Sequence, residues 1–162
     1  MDVVCKKNEA VFNYRVAGIW IENGHVLLHR SANDKKWSLP GGRVALTEDS
    51  PTSLKREFLE ELDIDVQIGR LIWVVENFFT YEENLFHEIG FYYTVTSDNH
   101  AMVIDQTPFY GAEGDRLVFQ WIPISQLKEV ELYPAFLRTA LTELPSHPEH
   151  IIVKQEDEVN KG

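Results

Sequence analysis

Between Gly42 and Ile64 the chain places Gly42, Glu48, Arg56, Glu57, Glu60 and Glu61 at fixed intervals in the segment GRVALTEDSPTSLKREFLEELDI. Carboxylates gathered this closely repel one another unless a cation lies among them. An oxygen-rich cluster suits a hard divalent ion, Mg2+ or Mn2+, better than a soft metal. An isolated run of glutamates is ordinarily a solvated helix face. The complete set, with its glycine and its arginine, points to a bound ion instead.

A helix must carry the carboxylates. Thr52 to Leu62 contains no glycine or proline, Pro51 suits a first helical turn, and Asp49 or Ser50 can cap it. On that helix Leu54, Phe58 and Leu62 recur every four residues as an apolar stripe. Glu57, Glu60 and Glu61 stand at i, i+3 and i+4 and share one edge. Before the helix, Trp37 to Gly42 reads as a short strand running into a glycine turn, where absent side chains let the backbone approach a ligand. Glu48 can swing back towards Glu57 and Glu61. Arg56 is placed to hold that loop by an ion pair, an orienting role.

Written as G-x5-E-x7-R-E-[apolar]-x-E-E-x-[G]-[apolar], the segment resembles the Nudix box of diphosphate-cleaving hydrolases at every defining position but Asp63, where the family has glycine. Asp tolerates the left-handed conformation that ends such a helix, at about 1 kcal/mol, and no proposed ligand is lost. The resemblance implies an α/β fold, the Nudix α/β/α sandwich, with a mixed sheet between the box helix and a C-terminal helix. It implies Mg2+-dependent (or Mn2+-dependent) pyrophosphohydrolase activity on a nucleoside diphosphate linked to another group X. ADP-ribose or nucleotide-sugar substrates are favoured, giving a nucleoside monophosphate and phosphorylated X. The metal set it implies is the Gly41 carbonyl with Glu48, Glu57, Glu60 and Glu61. Glu57 is the candidate general base or bridging carboxylate, with Glu48 as ligand or alternative base. Glu113, in Tyr110-Gly111-Ala112-Glu113-Gly114, stands where family members often place a further catalytic glutamate. Two other readings stay open: a sanitiser of modified nucleoside triphosphates, and a non-catalytic ligand-sensing domain.

Composition narrows the partners. With 162 residues, 44% of them apolar, the chain suits one domain over 1–162, its core roughly 10–144 and a polar tail over 145–162. The net charge of −11 argues against a nucleic-acid polymer as partner. A small nucleotide remains compatible, since bound metal and Arg30, Lys35, Lys36 and Arg43 can reverse the local potential. The N-terminal MDVVCKKNEAVFNYRV shows no export leader, no segment is long enough to span a bilayer, and Cys5 is the lone cysteine. A soluble, cytoplasmic protein without membrane contact is expected, and a homodimer is compatible.

Along the chain, Ala10 to Ile21 and His25 to His29 read as strands joined at Asn23-Gly24. Val66 to Thr80 and Leu85 to Thr96 read as strands joined at Glu82-Glu83-Asn84. Ser97 to Asp115 is a long loop, Arg116 to Ile122 a last central strand, and Ser125 a cap for a short helix through Lys128. Pro134 to Leu144 has core-facing helical spacing, and Ile151 to Val153 is frayed or an edge strand. Phe78, Phe79, Tyr81, Phe109 and Tyr110 could stack a base, although packing is the commoner role. Glu76, Asn77, His87 and Glu88 are read as structural.

Overall fold

The computed structural model describes residues 1–98 and 105–155. Strands β1 (Val4–Lys7), β2 (Ala10–Ile19), β5 (Gly41–Arg43), β6 (Gln67–Tyr81), β7 (Asn84–Thr96) and β10 (Glu149–Lys154) form one mixed sheet, ordered β1-β2-β7-β6-β10 with β5 paired to β2. Strands β3 (Ile21–Glu22), β4 (His25–Ser31), β8 (Phe109–Tyr110) and β9 (Leu117–Pro123) form a second, antiparallel sheet. The chain leaves the first sheet at Trp20 and turns back at Asn23 and Gly24, both at positive φ, as an Asn-Gly hairpin requires. Glu82 and Glu83, also at positive φ, make the tight β6–β7 turn.

Helix α1 (Ser50–Leu62) follows its sequence signals closely. Asp49 caps it by accepting from the Thr52 N–H at 2.9 Å, Pro51 lies in the first turn, and Asp63 ends it at φ 55. Leu54 and Phe58 are fully buried and press the helix onto β2 and β7. Gly18 permits that approach, because a Cβ there would stand 2.7 Å from the Phe58 ring and 2.8 Å from Val95. Val16, Trp20, Leu27, Phe119 and Trp121 complete this side of the core. On the opposite face Trp73, Tyr92, Leu39, Leu127 and Leu137 form a second apolar cluster.

Several elements depart from their expected form. Gly41 and Gly42 lie in strand β5, not in a turn, and a Cβ on Gly41 would stand 2.0 Å from the Val16 carbonyl oxygen. Close backbone approach is what requires glycine there. The expected helix over 134–144 is a single α-turn, α2 (Leu137–Ala140). The Thr139 and Thr142 hydroxyls bond back to the Phe136 and Thr139 carbonyls, offering the backbone an alternative to the helical ladder. Residues 124–129 form a 3-10 helix that starts after Pro123 without a Ser125 cap. Within the polar tail Glu149–Lys154 is the edge strand β10, parallel to β6. Part of the 97–115 loop, residues 99–104, lies outside the described residues, as do 156–162.

Candidate active site

One guanidinium organises the helix edge. Arg56 reaches Glu48 at 3.1 Å, Glu57 at 3.1 Å and Glu60 at 3.3 Å. The hydrogen bond to Glu48, with the charges of Glu57 and Glu48, raises the Arg56 pKa and holds it charged. The Ser53 hydroxyl also donates to Glu48 and accepts from the Ala45 N–H at 3.2 Å, tying the loop before α1 to the helix. Ser53 first and Arg56 second hold the Glu48 carboxyl below its usual range. The ion pair between Arg56 and the Glu48 loop is therefore present.

Glu57 and Glu61 have opposite electrostatics to Glu48. Burial raises the Glu57 pKa, with Arg56 opposing. Burial, then the neighbouring Glu57 charge, pushes Glu61 up to about 8, and the two carboxyls are hydrogen-bonded to each other. Glu61 is 8% exposed, whereas the Glu60 side chain is half in solvent. His29 Nδ1 lies 3.8 Å from a Glu61 oxygen and has no hydrogen-bond partner. Burial first, then the charges of Arg15 and Arg116, lowers His29 to about 3. With His29 neutral and Glu61 protonated near neutral pH, their contact is not an ion pair.

Among the described residues, no three His, Cys, Asp or Glu side chains converge in a metal-binding arrangement. Glu57 and Glu61 meet as a pair, and Glu48, Glu57 and Glu60 converge on the Arg56 guanidinium. The donor chemistry nevertheless fits a hard divalent ion: the buried Glu61 carboxyl and the partly buried Glu57 carboxyl crowd each other until one keeps a proton, and a cation can replace that proton. Gly42 leaves room for this, since a Cβ there would fall 2.4 Å from the Glu57 carboxyl carbon. Gly41 adjoins it in β5.

Glu113 is brought near this edge by its loop. The Ala112 N–H donates to the Glu61 carbonyl at 2.7 Å, and a Cβ on Gly111 would meet that same oxygen at 2.3 Å. Glu113 is paired with Arg116 at 2.9 Å, and its charge adds to the upward push on Glu61.

A cavity of about 340 Å³ opens on the sheet face opposite α1. Phe79, Tyr81, Tyr92 and Tyr133 supply aromatic wall, and Arg15, Lys36, Asn77 and Glu88 supply polar groups. Of the candidate stacking aromatics, Phe79 and Tyr81 line it. Phe78 stacks on His87, Phe109 on Phe119, and Tyr110 is exposed. Arg15 connects cavity and helix edge: it donates to the Leu39 carbonyl at 3.0 Å, and its charge acts on both Glu61 and His29. Arg30 lies over Trp37 and Lys36 over Tyr133.

Arg15 and His29 are absent from the residues expected at the site, and Asn77 and Glu88, read from the sequence as structural, line the cavity. Nothing in the local sequence distinguishes Arg15 or His29 from ordinary strand residues.

The mixed-sheet α/β fold is shared with several solved structures. The NUDIX domain profile matches residues 13–143, and the chain belongs to the NUDIX family. A MutT-like protein of Streptomyces ambofaciens is 40% identical over 63 residues, 38% of this chain and 41% of that relative. The match thus spans less than half of the relative's length. The fold is shared with the MutT protein of Methanosarcina mazei Go1 (TM-score 0.55, 24% identity, 78% of this chain and 88% of that one). It is shared equally with an ADP-ribose pyrophosphatase of Streptococcus suis 89-1591 (TM-score 0.55, 15% identity, 86% and 98%). A UDP-X diphosphatase matches with TM-score 0.55 and 15% identity over 86% of this chain and 66% of that one.

Proposed function

We propose that the protein is a Mg2+-dependent pyrophosphohydrolase that cleaves the diphosphate linkage of a nucleoside diphosphate joined to a second group, with nucleotide sugars and ADP-ribose as the favoured types. The observation that supports this reading is the close Glu57–Glu61 pair beside Gly42, Glu61 buried and Glu57 partly so, both carboxyls raised by burial and suited to a cation between them. Glu57, Glu60, Glu61, Glu48 and the Gly41 carbonyl would hold the ion. When bound, Mg2+ would neutralise charge developing on the diphosphate oxygens and acidify bound water.

The chain's own residues do the positioning. Arg56 and Ser53 hold Glu48 ionised and directed at the helix edge. Glu57 would accept a proton from the attacking water as general base. Glu113 adds negative charge beside Glu61, as a further ligand or base. The cavity takes the nucleoside end, and Arg15 and Lys36 offset phosphate charge between cavity and helix.

The test is to incubate wild type and Glu57→Gln with Mg2+ and a panel of ADP-ribose, nucleotide sugars, dinucleoside polyphosphates, CDP-alcohols and modified nucleoside triphosphates, measuring phosphate released after phosphatase coupling. Turnover by wild type of a nucleoside diphosphate derivative, and loss of about a hundredfold or more in the variant, is expected. Turnover confined to triphosphates would establish the sanitiser. No turnover, with no Mg2+-dependent rise in Tm, would establish a non-catalytic domain.

A further inference from the structure

Three polar side chains lie side by side across the main sheet. Asn13 on β2 and Asn77 on β6 are both register partners of Glu88 on β7. Register partners project to one face of a sheet, so the three form a continuous row. Their exposures are only 3%, 9% and 8% for Asn13, Asn77 and Glu88. Burying such a row costs stability unless its hydrogen bonds are met.

They are met only in part. Asn13 Nδ2 donates to Glu88 Oε2 at 2.8 Å, which anchors the carboxylate. Asn77 Oδ1 and Asn13 Oδ1 have no partner. What the row lacks is donors. Glu88 and Asn77 line the 340 Å³ cavity, with the aromatic groups of Phe79, Tyr81, Tyr92 and Tyr133 around it. Glu88 is an acceptor on a floor that the donors Arg15 and Lys36 also line, and between aromatic walls it fits a planar heterocycle that presents N–H groups along one edge.

We propose that Glu88 and Asn77 are specificity-determining residues that read the N–H edge of the substrate's base, and that the base they select is guanine. This rests on the reading above that the cavity takes the nucleoside end. Guanine carries N1–H and the exocyclic N2–H2 side by side, two donors that one carboxylate accepts together, with a further N–H for the Asn77 amide beside it. Adenine and cytosine each place a ring-nitrogen acceptor beside their amino group, so an acceptor would face the carboxylate. Uracil offers one N–H between two carbonyls. A site built around hydrogen bonds to a particular edge discriminates strongly, because the wrong base leaves its buried groups unpaired. Among the favoured substrate types, guanine nucleotide sugars therefore stand ahead of ADP-ribose.

The test measures binding of GDP, ADP, CDP and UDP to wild type, Glu88→Gln and Asn77→Leu by calorimetry with Mg2+ present, alongside kinetics on the four nucleoside diphosphate sugars. Wild type is expected to bind GDP at least tenfold more tightly than the others. Either variant should bring that ratio towards one, through KM and with little change in kcat. Equal wild-type affinity for all four nucleotides would overturn the proposal. So would variants that weaken all four in proportion, which is the signature of a structural role. GDP preference without hydrolysis would uphold this assignment while removing the hydrolase reading, and hydrolysis without base preference would do the reverse.

Discussion

A Cβ on Gly42 would stand 2.4 Å from the Glu57 carboxyl carbon, whereas one on Gly41 would stand 2.0 Å from the Val16 carbonyl oxygen. Adjacent glycines are thus required for different reasons. The Glu57 carboxyl is the far end of a flexible side chain and can move aside, but the Val16 carbonyl belongs to the backbone of β2. Gly42→Ala should therefore fold with Tm within a few degrees of wild type while hydrolysis falls about tenfold or more, because the displaced carboxyl loses its place. Gly41→Ala should lose the β2–β5 pairing and show a Tm drop of several degrees. Thermal melts beside steady-state rates separate the two, and equal stability losses would refute the distinction.

Glu61 and His29 make stability depend on pH in opposite senses. Glu61 is raised in the fold to about 8 from 4.5, so the stability gained by keeping its proton is complete below pH 4.5 and lost as pH rises through 8. His29 is lowered to about 3 from 6.5, so its contribution is complete above pH 6.5 and lost as pH falls towards 3. Between pH 4.5 and 6.5 the two oppose each other. From 6.5 to 8 only the Glu61 contribution of these two changes, and urea unfolding without metal should show stability declining across that window. Glu61→Gln should flatten the decline, and so should Mg2+ bound in the proposed way in the proton's place. An unchanged slope in the variant would exclude Glu61 as its source.

Arg56 spans Glu48, Glu57 and Glu60 with a planar fork that a lysine ammonium cannot reproduce. Arg56→Lys keeps the charge and should lower kcat by about tenfold, with a modest change in Tm since the site is partly solvated. Recovery of full activity in the lysine variant would show that charge alone suffices and that the fork does not orient Glu48.

How much of this was legible in the sequence follows from the range of the forces involved. Helix α1 was legible because its cap at Asp49, Pro51 and the Leu54–Phe58 spacing are local signals, all within 13 residues. The Asn23-Gly24 hairpin was legible for the same reason. The single turn of α2 was not, because apolar spacing cannot report that threonine hydroxyls and packing against the 3-10 helix curtail it. At the site, the box glutamates were legible as a set, but not that Arg56 would gather them while Glu60 stayed half exposed. His29 comes to Glu61 from another sheet, and Glu88 meets Asn13 across 75 positions of chain. Such contacts depend on strand register, which no local pattern encodes.

Asp63 carries the remaining departure from the family pattern, and its backbone states the cost. It sits at φ 55, ψ 38, donating its N–H to the Leu59 carbonyl at 2.9 Å as the left-handed end of α1. Glycine adopts that conformation without a Cβ penalty but gains entropy in the unfolded chain, so the two effects partly offset. The conformational term dominates where φ is positive, and Asp63→Gly should stabilise the fold by about 0.5–1 kcal/mol. Asp49→Ala, at the other end of the same helix, should destabilise by about 1 kcal/mol through loss of the Thr52 bond. Urea midpoints at constant m-value measure both. With no proposed ligand moved, Asp63→Gly should leave kcat within about twofold of wild type. A large loss of activity there would mean that the helix end, through Glu61 and the Ala112 contact to its carbonyl, positions the site more tightly than the backbone geometry alone requires.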